Sequence, residues 1–113
     1  MEYEDILYEK KEGTAKIIIN RPKVLNAVRT KTCKELVDAF ENAETDRSIG
    51  VIVLSGAGGK AFCAGGDIEE LSVSKTAEAL REWIPTARRL AGVMRNIGKP
   101  IIAAINGYSL GFG

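Results

Sequence analysis

Two glycine-bearing turns are the segments of this chain whose residues could do chemistry. The first is Phe-Cys-Ala-Gly-Gly-Asp at residues 62–67, and the second is Gly-Tyr-Ser-Leu-Gly-Phe-Gly at residues 107–113. Glycine lets a backbone approach a ligand closely, and a turn that leads into a helix leaves backbone N–H groups unpaired. Two such turns side by side could aim two N–H donors at one carbonyl oxygen, which is the arrangement of an oxyanion hole.

Each turn comes after a run of apolar residues that predicts a strand. Residues 51–54 and 101–105 are continuous apolar runs of strand length, which is typical of strands buried on both faces. In open α/β sheets, ligands collect at the carboxyl ends of the strands. We therefore expect both turns at the same edge of one sheet.

The remaining pattern predicts the elements around that sheet. Residues 6–10 and 14–20 are strand candidates joined as a hairpin, ended by Pro22 because proline supplies no ladder donor. A helix follows, for which Thr32 and Glu35 have capping-box spacing. Its apolar stripe consists of Cys33, Leu36, Val37, Phe40 and Ala43.

Two further helices are predicted between the two turns. Asp67 can cap a short helix through Leu71, and a longer helical pattern has Pro85 inside it, which predicts a kink or two helices. The apolar residues of the longer pattern recur at helical period: Leu80, Trp83, Ile84, Ala87, Leu90, Ala91, Met94 and Ile97. The order β-β-α-β-α-α-β indicates an α/β fold with parallel crossovers.

Composition excludes several classes of function. Sixteen basic and fifteen acidic residues leave a net charge of +1, which gives no electrostatic footprint for nucleic acid or an anionic membrane. The sequence has no histidine, so His-based triads and His metal sites are excluded and no metal site is predicted. Two cysteines make no disulfide framework. No apolar run is long enough for a membrane span, and we expect a cytoplasmic protein.

Four segments in register resemble the crotonase superfamily, also called the enoyl-CoA hydratase/isomerase family. They are Asn-Arg-Pro at 20–22 with Leu-Asn-Ala at 25–27, residues 51–56, residues 60–68, and residues 99–108. The resemblance implies a crotonase-like spiral of β-β-α units, usually assembled as homotrimers or hexamers. We expect residues 1–113 to be the N-terminal part of a single such domain, truncated on its C-terminal side.

The resemblance also implies an acyl-CoA thioester as substrate, with no further cofactor. The two oxyanion donors map to the backbone N–H groups of Ala64 and Phe112, the latter at the middle of a segment that is usually three glycines. The implied contacts to CoA and its acyl group are Val24, Leu25, Ala27, Ala64, Gly65, Gly66, Asp67, Ile68, Tyr108, Ser109, Leu110, Gly111 and Phe112.

Two features depart from the family pattern. Phe112 replaces a glycine, so its ring could crowd the pocket or force a different turn. The glutamates of the hydratases would lie beyond Gly113, so no catalytic acid or base is assigned. The expected chemistry is stabilisation of a thioester enolate, as in an enoyl-CoA hydratase or isomerase.

Several alternatives stay open. Residues 26–29 with Thr32, Cys33 and residues 35–36 resemble a branch that opens or closes rings, which includes 2-ketocyclohexanecarboxyl-CoA hydrolase and dihydroxynaphthoyl-CoA synthase. The chain could also be a CoA-binding fragment without catalysis. Residues 56–61 match G-x-G-x-x-A after a strand, a dinucleotide pattern that should open a helix at once.

Single residues have competing interpretations as well. Cys63 is more simply a packing residue than a nucleophile, because no histidine is present to activate it. Lys60 and Lys99 could contact CoA phosphates or be solvated surface lysines. Trp83 and Met94 are more typical of a core stripe than of a ligand contact.

Overall fold

The computed structural model describes residues 1–73 and 77–113. Its elements, in chain order, are β1 (Ile6–Lys11), β2 (Thr14–Ile19), a 3-10 turn (Pro22–Val24), α1 (Thr30–Thr45), β3 (Val51–Gly56), β4 (Ala61–Cys63), α2 (Ile68–Val73), α3 (Ala77–Asn96), β5 (Ile101–Ala103) and β6 (Tyr108–Ser109). The predicted order is confirmed, and the two short strands β4 and β6, which were not predicted, lie in the two glycine turns.

The main sheet has four strands in the order β1-β2-β3-β5. β1 and β2 form the predicted antiparallel hairpin, with Glu12 and Gly13 at its tip in left-handed conformations. β3 pairs in parallel with β2 on one side and with β5 on the other. The crossovers pass through helices, as expected for a parallel α/β arrangement.

The predicted stripe of α1 lies against the sheet, and all five of its residues are buried. Phe40 is fully inaccessible to solvent and packs in one cluster with Ile17 and Ile52 of the sheet and with Leu90 of α3. Burying an aliphatic or aromatic side chain of this size contributes roughly 1.5–3 kcal/mol. This cluster holds the carboxyl ends of the strands, and therefore both turns, in place.

The predicted capping box of α1 is wrong. The helix begins at Thr30, so Thr32 occupies its third position and accepts a hydrogen bond from the Arg29 N–H at 3.1 Å. Glu35 instead accepts the backbone N–H groups of Glu4 and Asp5 at 2.8 and 2.9 Å. The spacing of Thr32 and Glu35 predicted the correct helix, but Glu35 accepts hydrogen bonds from residues before β1 and not from the backbone at the helix start.

Burial on both faces was also predicted wrongly for the two apolar runs. Along β3, buried and half-buried residues alternate, so only one face of the strand is fully covered. β5 is shorter than predicted and more open, since Ile102 is 53% exposed. In the described residues β5 is an edge strand, which explains its exposure.

The long helical pattern forms one helix, α3, with Pro85 inside it rather than two helices. Its apolar stripe is only partly covered: Leu90 is buried, Trp83 and Met94 pack half-buried against the core, and Leu80 and Ile84 are exposed. No helix in the described ranges has the length and apolar character needed to cross a membrane.

Candidate active site

The first turn lies between two other segments of backbone. On one side, the Ala64 N–H donates to the Leu25 carbonyl at 3.0 Å, and the Val28 N–H donates to the Gly65 carbonyl at 2.8 Å. The Asp67 N–H then returns to the Val28 carbonyl at 2.8 Å. These bonds form an isolated parallel bridge between Val28 and Gly66, which fixes the turn against the loop after β2.

On its other side, the first turn meets the second. β4 and β6 form a two-stranded parallel sheet in which Cys63 pairs with Ser109, and the Leu110 N–H donates to the Cys63 carbonyl at 3.1 Å. A Cβ added at Gly65 would lie 3.0 Å from the Leu110 carbonyl oxygen and 3.5 Å from the Phe112 nitrogen. Glycine at position 65, with φ of +109°, is what lets the two turns approach this closely.

Two backbone N–H groups emerge from this junction without a protein acceptor. A trans peptide directs its N–H opposite to its C=O, so the Gly65 carbonyl, which faces Val28, turns the Gly66 N–H towards the second turn. In the part of the chain that the structure describes, neither this N–H nor that of Phe112 donates to protein. The structure therefore offers one candidate donor on each turn.

The first of these donors is not the one predicted. The Ala64 N–H already donates to the Leu25 carbonyl, so it is not available to a ligand oxygen in this structure. Because the Gly65 carbonyl faces Val28, the free donor is the N–H of Gly66, two residues after Ala64. Gly66 was predicted only as a substrate contact, and the sequence held no signal for its register.

The Phe112 N–H has no acceptor among the described residues, and the ring of the same residue packs against another aromatic side chain. The ring lies 5.7 Å from that of Trp83, centroid to centroid, at an interplanar angle of 59°. The residue does not adopt a positive φ, whereas Gly111 before it does, at +53°. A phenylalanine thus fits this position without backbone strain, and the turn forms in spite of the departure from the family pattern.

An apolar cavity of about 270 Å³ adjoins the second turn. It lies between the sheet and α3, and Cys63, Leu90, Met94, Phe112 and Gly113 are among its lining residues. The Phe112 ring therefore contributes to its wall.

The loop after β2 is held by side chains that were not predicted to matter. Asn26 is fully buried, accepts the Arg21 N–H at 2.9 Å, and donates to the carbonyls of Ala57 and Ala61 at 2.9 Å each. Asn26 and Leu25 both adopt left-handed backbone conformations, with φ of +58° and +54°. Such conformations cost roughly 1–2 kcal/mol for a non-glycine residue, a strain that the Asn26 hydrogen bonds offset.

Two buried carboxylates, those of Asp5 and Asp67, pack near the loop after β2. Asp5 accepts hydrogen bonds from Arg29 at 2.7 and 2.8 Å and from the Thr32 hydroxyl at 2.6 Å. Asp67 accepts one from Arg21 at 2.9 Å. Burial acts to raise the pKa of each carboxyl, but the arginine and other hydrogen bonds outweigh it and hold both pKa values below 3.8. Both groups are therefore ionised and structurally engaged at neutral pH.

Asp67 also confirms its predicted cap. Its Oδ1 atom accepts the N–H groups of Glu69 and Glu70 at 3.0 and 3.3 Å, at the start of α2. Glu70, in the first turn of α2, accepts both the N–H and the hydroxyl of Thr30 at 2.9 and 2.7 Å.

The predicted contact residues divide by exposure. Ala27, Gly65 and Asp67 are buried, while Ala64 and Gly66 are half-buried. The remaining ones are exposed around the junction of the two turns: Val24, Leu25, Ile68, Tyr108, Ser109, Leu110, Gly111 and Phe112. Their roles towards a ligand stay predictions.

The alternative chemistries find no support in the geometry. Residues 56–61 lead into β4 and not into a helix, so the dinucleotide interpretation is wrong. Cys63 is buried and its pKa is raised, chiefly by burial, which opposes a thiolate nucleophile. No group of three or more potential metal ligands occurs among residues 1–73 and 77–113.

Lys99 has a role that neither interpretation of it predicted. Its Nζ atom donates to the carbonyls of Ala43 and Asp46, both at 2.7 Å. Ala43 lies in the last turn of α1, whose carbonyls lack intrahelical partners, and Asp46 directly follows the helix. Lys99 therefore caps α1 and is unavailable to a phosphate, whereas Lys60 is exposed.

Comparison with known proteins identifies the family and the fold of this chain. A family model described as enoyl-CoA hydratase/isomerase matches residues 9–113. A crystal structure of an enoyl-CoA hydratase/carnithine racemase from Magnetospirillum magneticum is 35% identical, with a TM-score of 0.90 over 98% of this chain and 42% of that one. An enoyl-CoA hydratase from Bacillus anthracis is 31% identical, with a TM-score of 0.90 over 97% and 43%.

The fold and the paired turns thus define a crotonase-type protein. The chain belongs to the enoyl-CoA hydratase/isomerase family. It spans about 42% of the length of the Magnetospirillum protein that it matches.

Proposed function

We propose that this chain binds the thioester carbonyl of an acyl-CoA between the backbone N–H groups of Gly66 and Phe112. The observation that carries the proposal is the junction of the two turns, where both N–H groups lack a protein acceptor in the described residues. Donors placed in advance at a developing oxyanion stabilise it without reorganisation, and removing one such donor costs about 2.7–4 kcal/mol in known cases.

The intact enzyme would then use this pair to stabilise a thioester enolate, most simply during hydration or isomerisation of an enoyl-CoA. The family membership supports this reaction class. Asp67 is engaged by Arg21 and Glu70 by Thr30, so neither of these two acids is free for proton transfer in this geometry. Binding of the thioester without turnover is therefore a second candidate for this chain.

The ring-opening branch gains nothing from the structure. Three of the residues behind that resemblance, Asn26, Thr32 and Glu35, are each engaged in hydrogen bonds that hold the fold. These contacts account for those residue types without reference to a substrate.

The test compares two ligands that differ only in the acyl group. Calorimetric titration with CoA and with acetoacetyl-CoA gives an acyl preference ratio, the Kd for CoA divided by the Kd for acetoacetyl-CoA. We expect a ratio well above one, because only acetoacetyl-CoA presents a thioester carbonyl oxygen to the two donors. A ratio of one would exclude the carbonyl site.

A glycine pair supplies the matched variants. In Gly65→Ala the new Cβ would meet the Leu110 carbonyl at 3.0 Å at a φ that L residues rarely adopt, so we expect the turns to part and the ratio to fall. In Gly92→Ala, where nothing lies within 4 Å of the new Cβ, the ratio should stay unchanged. Turnover of crotonyl-CoA, measured beside turnover of a cyclic β-keto acyl-CoA, then separates catalysis from binding alone and hydration from ring cleavage.

A further inference from the structure

One guanidinium links the loop after β2 to the first glycine turn. The Nη1 atom of Arg21 donates to the Ala27 carbonyl at 2.6 Å and to Asp67 Oδ2 at 2.9 Å. Its Nε atom lies 3.8 Å from Asp5 Oδ2. The Arg21 side chain is only 15% exposed, so these interactions are little screened by solvent.

Arg21 holds Asp67, which directly follows Gly66 in the chain. Asp67 is fixed at three points: one carboxylate oxygen by Arg21, the other by the start of α2, and its N–H by the Val28 carbonyl. With the residue after Gly66 fixed in this way, the Gly66 peptide has little freedom to rotate. The Gly66 N–H shares its peptide plane with the Gly65 carbonyl, which Val28 holds on one side, so its direction depends on that bond together with the position of Asp67 on the other side.

Arg21 is also the cation that compensates Asp67. It is the only partner of Asp67 among the ion pairs of the described residues, whereas Asp5 is paired more closely with Arg29, at 2.7 Å. Breaking a buried pair by removing one partner leaves an uncompensated charge. Without Arg21, the Asp67 carboxylate would reorient towards water and take the turn with it.

We propose that Arg21 is a positioning residue, which sets the direction of the Gly66 N–H through Asp67 and so controls recognition of the acyl carbonyl. The inference rests on the proposed function and adds to it a side chain that need not touch the ligand. A purely structural Arg21 would weaken binding of CoA and acetoacetyl-CoA alike, or only lower stability. A positioning Arg21 changes the acyl preference ratio.

The experiment compares Arg21→Met with Arg29→Met in the whole chain. Each substitution removes one arginine that pairs with the buried Asp5, but only Arg21 also pairs with Asp67, and no hydrogen bond or ion pair joins Arg29 to residues 64–67 in the described structure. We expect the acyl preference ratio to fall about tenfold in Arg21→Met, since small misplacements of a reacting group are costly. In Arg29→Met it should equal that of the wild type.

Absorbance supplies a second readout that loss of stability does not move. The enolate form of acetoacetyl-CoA absorbs in the near ultraviolet, so the band per bound ligand would report how strongly the donors stabilise that form. We expect the band at saturation to weaken in Arg21→Met, to recover partly in Arg21→Lys, which keeps the charge and a single donor group, and to be unchanged in Arg29→Met.

Each result bears on a different proposition. An unchanged ratio and band in Arg21→Met would overturn the positioning role while leaving the carbonyl site intact. A wild-type ratio of one would overturn both. If Arg21→Met does not fold, Arg21→Lys and Asp67→Asn are compared instead, and an unchanged ratio in both would equally overturn the positioning role.

Discussion

At Phe112, the side chain and the backbone have separate roles. The ring packs against Trp83 at 5.7 Å, while the backbone nitrogen of the same residue lies close to Gly65 of the first turn and donates to no protein acceptor in the described residues. Because the residue has an ordinary backbone conformation, a glycine is not required at this position. This explains how a chain that departs from the Gly-Gly-Gly pattern retains the turn.

The first prediction concerns this ring contact. Phe112→Ala should lower the free energy of unfolding by about 1 kcal/mol, the usual value of an aromatic pair, and leave the acyl preference ratio unchanged because the N–H remains. Trp83 is the only tryptophan, so its fluorescence should change on substitution. Tyr108→Ala is the control, since Tyr108 is 66% exposed and has no ring partner in the described residues. A fall of the acyl preference ratio to one in Phe112→Ala would contradict separate roles for the ring and the N–H of Phe112.

The two thiols give a second prediction. Burial raises the pKa of Cys33 to about 12 and that of Cys63 above 9.0. Since the thiolate is the reactive form, native protein at pH 7 should label slowly with iodoacetamide, and both residues should label rapidly in urea. Cys33→Ala and Cys63→Ala identify which thiol reacts. Fast labelling of Cys63 in the native protein would reopen its assignment as a nucleophile.

At the scale of elements, the short strands β4 and β6 matter more than the long ones. They bring the two glycine turns into register, whereas the four-stranded sheet supplies only the platform. Neither was predicted, because two or three residues are too few to show a periodic pattern. Asn26 is the side chain that ties the loop after β2 to the start of β4, through the Ala61 carbonyl.

A third prediction tests this tie. Asn26→Ala should lower the free energy of unfolding by about 2–4 kcal/mol, because it leaves the Arg21 N–H and the Ala57 and Ala61 carbonyls without their partner. Asn42→Ala is the matched control, since Asn42 is exposed on α1 and, among the described residues, its side-chain amide accepts only from the Tyr8 hydroxyl. Urea denaturation measures both. A loss in Asn26→Ala no larger than in Asn42→Ala would show that the loop is held by other contacts.

Sequence periodicity predicted the elements that bury a stripe or form a ladder, such as the β1–β2 hairpin and the apolar face of α1. It did not predict which N–H of the first turn is free, since that depends on the bond from Ala64 to Leu25, 39 residues before it in the chain. The residues of the Asn-Arg-Pro segment contributed to the resemblance, but their ion pairs depend on tertiary contacts. The sequence thus indicated where the site lies, but only the folded structure shows which backbone N–H groups of the two turns are free.

At the scale of the whole molecule, acid stability should depend on the two buried aspartates. Their folded pKa values are depressed, so their stabilisation is fully present above the unfolded pKa of about 3.9 and is lost as the pH falls through the folded values. Each contributes a slope of at most about 1.4 kcal/mol per pH unit in that window.

Urea titrations between pH 7 and about pH 2 measure this dependence. The free energy of unfolding should lose part of its acid-side slope in Asp67→Asn and in Asp5→Asn. Glu78→Gln is the control, because Glu78 is exposed at the start of α3. If the free energy of unfolding has the same dependence on pH in all of these proteins, the acid sensitivity does not come from the buried ion pairs.

The pairing of β4 with β6 has a consequence for how this site can be mapped. If the donors are two peptide N–H groups on the segments that follow β4 and β6, alanine scanning of the turns removes neither of them. An alanine scan would detect only substitutions that distort the turns indirectly, such as Gly65→Ala. Alanine substitutions that do not distort the turns would leave binding unchanged, and no site residue would be identified. Replacing single peptide bonds with esters at Gly66 and Phe112 by chemical synthesis deletes each donor and leaves every side chain in place.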